Sequence, residues 1–316
     1  MPVTRFRWTS AAESRVTPRP LKLLIVRKTT NLEWHGSAIR REVAAGRMPP
    51  EDLARLQRAH DEHYQTLDGL RARLLKSQIS FVEITRDTDW PESRKFDAII
   101  TVGGDGTLLS ATHKVSDDTL TIGVRSSRSS VGHLCAYDGA SLDELVDDLT
   151  SNKCHGIHVA RIRARIQRVK TSDFLYTDPV LNDFLYCNVN PAATTRYRLR
   201  LVEGGVDHVE EQKSSGIWIA TAVGSTAGIA SAGGAPVEWS DRRMQFRVRE
   251  VFSGGKVKPV KISGFVDLTH DVFEIENRSE KAFLALDGQH GEVPLGLGDI
   301  VRFCVAPELH LAIRRS

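Results

Sequence analysis

A short apolar strand that runs into a glycine-rich turn constrains the fold of this chain more than any other feature. Residues 98–102 read Ala-Ile-Ile-Thr-Val, an apolar run typical of a buried strand. Gly103, Gly104, Asp105, Gly106 and Thr107 follow, and the apolar residues after them fit a helix. A strand, a tight turn and a helix in this order indicate an α/β sheet, in which ligands gather beyond the strand ends.

The residues of the turn suggest phosphate chemistry. Glycines lack a Cβ, so they can adopt positive φ and let a phosphate approach backbone N–H groups. A helix that begins just after the turn adds its positive end. A carboxylate repels phosphate, so the presence of Asp105 in such a turn has to be explained. Asp105 could orient Mg²⁺ or act as the base on an attacking hydroxyl. An ordinary Gly-Asp-Gly turn is the alternative, since both residue types dominate turns.

The pattern of apolar residues changes near residue 150. Before it, strands at 21–26, 79–84 and 119–124 alternate with helices at 51–75 and 142–149, as expected for an α/β unit. After it, residues 157–169 alternate between apolar and basic side chains, which indicates a half-buried strand. Further strands are predicted at 197–202, 217–221, 257–265, 272–275, 282–286, 300–305 and 310–313. We therefore divide the chain into a tail (1–20), an α/β domain (21–150), a β-rich domain (151–300) and a terminal segment (301–316).

Composition excludes several classes of protein. The formal net charge of +3 over 316 residues does not suggest a nucleic-acid binder. No apolar run reaches the length of about 18 residues that a membrane span needs. The four cysteines form no Cys-x-x-Cys motif, which argues against zinc and for a reducing compartment. His60 and His63 can share a helix face but lack a third ligand, so no protein-held metal is expected.

The first 20 residues contain four arginines and one acid. This composition overlaps that of a mitochondrial transit peptide. A disordered basic tail is the preferred interpretation, and the protein is expected to be cytoplasmic.

Three blocks of sequence carry a family resemblance. The Gly-Gly-Asp-Gly-Thr turn resembles that of a kinase superfamily that includes NAD kinases, diacylglycerol and sphingosine kinases and, more distantly, 6-phosphofructokinases. Residues 215–236 resemble the second conserved block of NAD kinases, and Leu181-Asn182-Asp183 resembles their Asn-Glu pair. The three pieces occur in the order of the family and at similar separations. The resemblance covers about residues 20–310. Residues 28–30, 132–135 and 214–216 are most similar to the mitochondrial-type branch and its bacterial relatives.

This resemblance implies a Rossmann-like parallel sheet domain followed by a β-sandwich that binds NAD, with residues 301–316 returning to the first domain. It implies transfer of the terminal phosphate of ATP to the 2′-hydroxyl of the adenosine ribose of NAD, which gives NADP. Mg²⁺ would arrive with ATP, because no cage of carboxylates is apparent. A homodimer or homotetramer is expected.

The resemblance also implies roles for individual residues. Asp105 matches the aspartate that activates the 2′-hydroxyl, and Gly103, Gly104, Gly106 and Thr107 surround the donor phosphates. Asn182 and Asp183 match the Asn-Glu pair that holds the ribose and adenine of NAD, although Asp183 is one methylene shorter. The remaining positions that match the dinucleotide pockets are Ser215, Thr226, Ala227 and Ser231.

Several positions are open to two interpretations. Lys28 follows the first strand and faces either a phosphate or solvent. Arg125 stands where the family usually has Asn; with Arg128 and four serines it forms either an anion cradle or a flexible polar loop. Gly228 replaces a tyrosine, which removes an aromatic stacking platform. Asp287 and Gly288 match a late Asp-Gly of the family but also suit a hairpin turn.

Two other functions remain possible from the sequence. A lipid kinase shares the glycine turn but has Asn-Glu on the next helix, where this chain has Leu108-Leu109-Ser110-Ala111. A non-catalytic nucleotide-binding homologue would explain the substitutions at Arg125, Ser215 and Gly228, but the intact Asp105 argues against it. The sequence leaves open NAD or NADH as the acceptor and ATP or polyphosphate as the donor.

Overall fold

The computed structural model describes residues 20–86, 88–252, 254 and 259–314. The helices are α1 (Asn31–Ala44), α2 (Pro50–Lys76), α3 (Asp105–Thr112), α4 (Leu142–Thr150) and α5 (Gly228–Ser231), with short 3-10 turns at Ser93–Lys95 and Val223–Thr226. The strands are β1 (Lys22–Arg27), β2 (Ser80–Thr85), β3 (Ala98–Gly103), β4 (Leu120–Arg125), β5 (Tyr137–Asp138), β6 (Gly156–Gln167), β7 (Phe174–Tyr176), β8 (Asp183–Asn188), β9 (Thr195–Glu203), β10 (Val206–Ser214), β11 (Gly216–Ala220), β12 (Met244–Arg249), β13 (Ser263–Val266), β14 (Val272–Asn277), β15 (Ala282–Leu286), β16 (Gly291–Leu295) and β17 (Ile300–Ala312).

A parallel block of strands in the order β2-β1-β3-β4 forms the N-terminal part of the larger sheet. Every residue of β3 is buried, because helices and loops cover both faces of this strand, as is usual for parallel sheets. Leucines of α2 and α4 pack on one face, among them Leu67, Leu70 and Leu145. This arrangement places the turn after β3 at the carboxyl edge of the block.

The same sheet continues into antiparallel strands through β17. Leu311 of β17 pairs in parallel with Thr121 of β4, and β17 also pairs with β6 and β14. The second sheet is antiparallel, in the order β13-β12-β11-β8-β15-β16. The two sheets share a core in which Phe184 packs edge-on against Phe303, with ring centroids 5.4 Å apart. The predicted fold class, a parallel α/β sheet followed by a β-rich sandwich, is confirmed.

Some predicted elements differ from the structure. The two strands predicted at 300–305 and 310–313 are a single strand, because β17 pairs with β6 on both sides of an irregularity between Ala306 and Leu309. The strand predicted at 257–265 begins only at Ser263, and residues 257 and 258 lie outside the described part of the chain. The predicted basic tail lies outside it too, apart from residue 20. The domain division near residue 150 stays a prediction.

Helix α1 and strands β5, β7, β8, β10, β12 and β16 were not predicted. A local signal marks the start of α1: Thr30 accepts a hydrogen bond from the Glu33 amide at 3.3 Å, and the Glu33 carboxylate accepts one from the Thr30 amide at 2.7 Å. This capping box satisfies two amides that a helix start leaves unpaired. Strand β10 alternates too weakly to be recognised, since most of its side chains are exposed. Over the described residues, no helix combines the length and the apolar character that crossing a bilayer requires.

Candidate active site

The turn between β3 and α3 is closely packed. A Cβ at Gly103 would collide with the Thr107 side chain, and one at Gly104 would lie 2.6 Å from the Val131 carbonyl oxygen. Gly103, Gly104 and Gly106 are not among the glycines with positive φ, so the expectation that this turn uses positive φ is wrong. The glycines serve the close approach of neighbouring groups instead.

Asp105 is the first residue of α3 and also holds the neighbouring loop. Its Oδ2 accepts a hydrogen bond from the His133 amide at 3.0 Å, and its Oδ1 accepts one from the Leu134 amide at 2.9 Å. The Asp105 amide in turn donates to the Val131 carbonyl at 2.9 Å. The Cys135 thiol also approaches Oδ1, at 4.0 Å. A carboxylate oxygen has a second lone pair, so Oδ2 keeps the capacity to accept a proton or contact a cation.

A cavity of about 460 Å³ opens above this turn. Three cationic side chains line it together with Asp105: Lys28, Arg55 and Arg86. The Lys28 ammonium donates to the Ser130 hydroxyl at 3.3 Å, and burial lowers the pKa of Lys28 while the charge of Glu62 opposes that shift. The predicted residues Gly104, Gly106 and Thr107 lie in the same wall. Three cations and the first residues of α3 thus line one space, which suits a polyphosphate.

The serine-rich loop after β4 contributes serines to the cavity, but Arg125 is not among the lining residues. The Arg125 side chain lies over Gly132 and approaches Asp138, with the nearest N···O distance 3.9 Å. The loop itself is held by Glu62, which accepts hydrogen bonds from the Ser127 hydroxyl at 2.8 Å and the Arg128 amide at 2.9 Å. Arg125 therefore has an acidic neighbour in space, Asp138 on β5, although none stands beside it in the sequence.

Asn182 and Asp183 lie at the start of β8. The Asn182 carbonyl accepts the Thr221 amide at 2.9 Å, and a Cβ at Gly224 would collide with the same backbone. Asp183 is only 4% exposed; burial and the charge of Asp287 raise its pKa to about 7, against a hydrogen bond from the Gly228 amide. Its buried side chain is thus largely neutral in mildly acidic solution.

Asp287 is the residue that sequence reasoning underestimated. It forms the turn between β15 and β16 with φ 45°, and its buried carboxylate accepts the amides of Leu181, Asn182 and Asp183 at 3.0, 2.8 and 3.0 Å. His113, at the end of α3, contacts the same carboxylate at 2.8 Å. Asp287 therefore connects the helix that carries Asp105 to the Asn182 segment.

The residues after Asp287 continue this connection. Gln289 lines the cavity above the glycine turn. The His290 imidazole would lie 3.6 Å from a Cβ at Gly106, and burial, with the nearby His113, lowers the pKa of His290. In the sequence, residues 287–290 read Asp-Gly-Gln-His. Two polar side chains directly after the Asp-Gly turn could have indicated that this turn belongs to the site.

The Trp218 ring, on strand β11, lies beside Gly228, the position at which the family has a tyrosine. A Cβ at Gly228 would lie 2.8 Å from the Trp218 ring, so no larger residue fits there without a shift. Trp218 lies on β11, between two core residues of that strand, Ile217 and Ile219. The indole therefore supplies an aromatic surface beside Gly228 that the sequence alone did not indicate.

The other predicted dinucleotide positions are dispersed. Thr226 lines a separate cavity of about 730 Å³ with residues 236–238 and 240–241. Ala227 follows the 3-10 turn, and Ser231 ends α5. Ser215 precedes β11, and its amide donates to the Arg249 carbonyl at 3.1 Å. Because Asp183 pairs with Ala220 at the other end of β11, Ser215 lies about 15 Å further along the strand.

His60 and His63 do not converge on a common point. The His63 ring is buried and its Nδ1 contacts the Ser126 hydroxyl at 2.8 Å, whereas His60 Nδ1 contacts Thr30 Oγ1 at 2.8 Å. Burial is the main cause that lowers the pKa of His63 to about 3. Both rings therefore support the packing of α2 against the loops of the site.

Comparisons with known proteins place this geometry in context. No protein-family model matches the chain. It is 27% identical to the "Probable NADH kinase" of Oryza sativa subsp. japonica over 246 residues, 72% of this chain and 74% of that protein. It is 28% identical to the "NADH kinase" of Arabidopsis thaliana over 270 residues, 80% and 83% of the two chains.

Two solved structures share the fold. An NAD kinase from Archaeoglobus fulgidus in complex with ATP superposes with a TM-score of 0.63 at 20% identity, covering 93% of this chain and 94% of that one. A yeast NADH kinase complexed with NADH superposes with a TM-score of 0.64 at 16% identity, covering 94% and 85%. At these identities the structural likeness shows the fold alone.

Proposed function

Because the chain belongs to the NAD kinase family, we propose that it transfers the terminal phosphate of ATP to the 2′-hydroxyl of the adenosine ribose of NAD, giving NADP. One observation carries the proposal: Asp105, Lys28 and the glycine turn line a single cavity. The Asp287 carboxylate contacts both His113, at the end of α3, and the Asn182 amide, so it holds the helix that carries Asp105 next to the Asn182 segment.

The cavity supports a division of roles for the donor. Lys28 and Arg86 would neutralise the phosphates of ATP, and the backbone of the glycine turn would donate to their oxygens. Asp105 is the one carboxylate among the described residues that line the cavity. A Mg²⁺ ion would therefore be held mainly by the phosphates and would supply charge neutralisation. The protein would position the donor so that its terminal phosphate is held in the orientation that reacts.

Asp105 would act as the base. The 2′-hydroxyl oxygen forms a bond to the terminal phosphorus, the bond from that phosphorus to the oxygen of ADP breaks, and the hydroxyl proton passes to Asp105. The hydrogen bonds that its carboxylate accepts from the His133 and Leu134 amides fix it at the start of α3. Such positioned proton acceptors typically contribute about 10²–10⁴-fold.

Asn182 would hold the adenosine end of the acceptor, and the pair of Gly228 and Trp218 would offer an aromatic surface nearby. Ser215, Thr226, Ala227 and Ser231 remain proposed dinucleotide contacts. A cytoplasmic location and a homo-oligomeric state are likewise part of the proposal.

The test is a panel of acceptors with purified full-length protein. NAD, NADH, diacylglycerol and sphingosine are each incubated with ATP or polyphosphate and Mg²⁺, and phosphorylated products are quantified. NADP or NADPH formation that disappears in Asp105→Asn supports the proposal, and the ratio of the two decides the preferred acceptor. Phosphorylation of a lipid but of neither dinucleotide, or of nothing at all, would overturn it.

A further inference from the structure

A cluster of two histidines and one aspartate lies at the opposite edge of the parallel strands from the glycine turn. Asp118 is in the loop before β4, His158 is on β6 and His310 is on β17. One potential ligand atom from each lies within 4.8 Å of the other two. Residues 103 and 125 are paired at the carboxyl end of β3 and β4, so Asp118, seven residues before Arg125, lies about 20 Å from the active-site edge.

The fold places the two histidines side by side. His158 and His310 are direct partners in the antiparallel register of β6 and β17, and their rings are nearly parallel, 11° apart in orientation with centroids 4.7 Å apart. Gly156, two residues before His158, makes room, since a Cβ there would come within 2.8 Å of the His310 Cδ2 atom. Both imidazoles therefore project from the same face of the sheet.

The aspartate is presented by an ordered loop. The neighbouring Asp117 accepts hydrogen bonds from the Ser93 hydroxyl at 2.6 Å and from the Thr119 amide at 3.0 Å. With Asp117 occupied in this way, Asp118 points outward and its Oδ1 lies 2.6 Å from His158 Nε2. His310 Nδ1 in turn lies 3.4 Å from the Asp118 carbonyl.

We propose that Asp118, His158 and His310 bind a Zn²⁺ ion. Two imidazoles and one carboxylate are the donor set of a three-ligand zinc site whose fourth position is taken by water. Imidazole does not suit Mg²⁺ or Ca²⁺, which prefer oxygen ligands. The ion takes the place of the hydrogen bond between Asp118 and His158, the ring proton of His158 then lies on Nδ1, and each ring turns slightly so that its nitrogen faces the metal.

The site would join the last strand of the chain to the loop before β4. β17 pairs with β4 at Leu311, next to His310. A metal ion held by these residues would therefore link β17 to the loop before β4 at the point where β17 joins the parallel strands. Zinc bound only by the folded chain stabilises it in proportion to the logarithm of zinc concentration over the dissociation constant. The inference is independent of the proposed kinase activity.

The test is zinc binding by the full chain, measured by calorimetry, with Co²⁺ as a spectroscopic probe and thermal unfolding as a second readout. We expect one ion per chain, a tetrahedral Co²⁺ spectrum without a thiolate charge-transfer band, and a higher unfolding temperature with zinc. His158→Ala and His310→Ala should each weaken binding at least about tenfold. His270→Ala is the matched control, since His270 pairs with Asp267 at 3.0 Å and is not part of the triad.

Three results would overturn the proposal: no stoichiometric zinc binding, equal affinity in His158→Ala and the parent, or a Co²⁺ spectrum dominated by thiolate ligands. Dinucleotide phosphorylation without added zinc should be the same in His158→Ala and the parent, because the cluster is remote from the cavity.

Discussion

Asp287→Asn tests whether a buried carboxylate outside the cavity positions the acceptor segment. The carboxylate accepts three backbone amides and contacts His113. An asparagine has one acceptor oxygen, which can keep the amides of Asn182 and Asp183, but its NH₂ group then faces the Leu181 amide. The substitution is nearly isosteric, and asparagine tolerates the positive φ of this position.

The expected loss of stability follows from these contacts. Leaving one buried amide without an acceptor costs about 1–3 kcal/mol, and replacing a charged acceptor by a neutral one costs about 1 kcal/mol at each of the other two amides. The sum is roughly 3–5 kcal/mol, which is less than the total stability of about 5–15 kcal/mol typical of a domain, so the variant should still fold. Because Asn182 loses part of its support, KM for the dinucleotide should rise about 10- to 100-fold, since misplacement by about 1 Å can cost about 10²-fold. KM for ATP should change much less.

Urea unfolding and steady-state kinetics with both substrates measure the two effects. Asp299→Asn is the control, because this buried carboxylate also accepts two amides, from Val169 and Gly296, and pairs with Arg168. It should lose comparable stability with unchanged KM values. If Asp287→Asn keeps its dinucleotide KM within twofold, or if Asp299→Asn raises it equally, the positioning role is refuted.

Three further predictions concern the site. Asp105→Asn should lower kcat by about 10²–10⁴-fold with ATP affinity retained by calorimetry; turnover within twofold of the parent would contradict its role as base. Lys28→Ala should weaken ATP binding more than Arg125→Ala, because of these two residues only Lys28 lines the cavity. If calorimetry shows the larger loss of affinity in Arg125→Ala, Arg125 rather than Lys28 binds the phosphates. Since the folded-state pKa of Asp183 is raised to about 7 from about 3.9, its proton stabilises the fold at low pH and this contribution is lost as pH rises from about 4 through 7. Asp183→Asn should flatten that dependence in urea unfolding and exceed the parent in stability above about pH 7, and parallel pH curves would contradict the assignment.

The sequence by itself determined the parts of this protein that depend on local chemistry. The strand, glycine turn and helix around Asp105 were recognisable because apolar runs and glycines report local backbone requirements. The two kinds of sheet were recognisable because buried parallel strands and half-exposed antiparallel strands differ in hydrophobic period. The family followed from the order of three motifs, 103–107, 181–183 and 215–236.

Only the tertiary structure decided which polar groups meet. Asp138 approaches Arg125, Trp218 fills the space beside Gly228, and Asp287 receives the amides of residues 181–183. Strands β6 and β17 bring His158 to His310 from distant parts of the chain. These contacts depend on strand order and register, which a residue's own neighbours in the chain do not specify. Whether a polar side chain binds a ligand or another part of the protein is therefore settled by packing, because burial forces each charge and amide to find a partner.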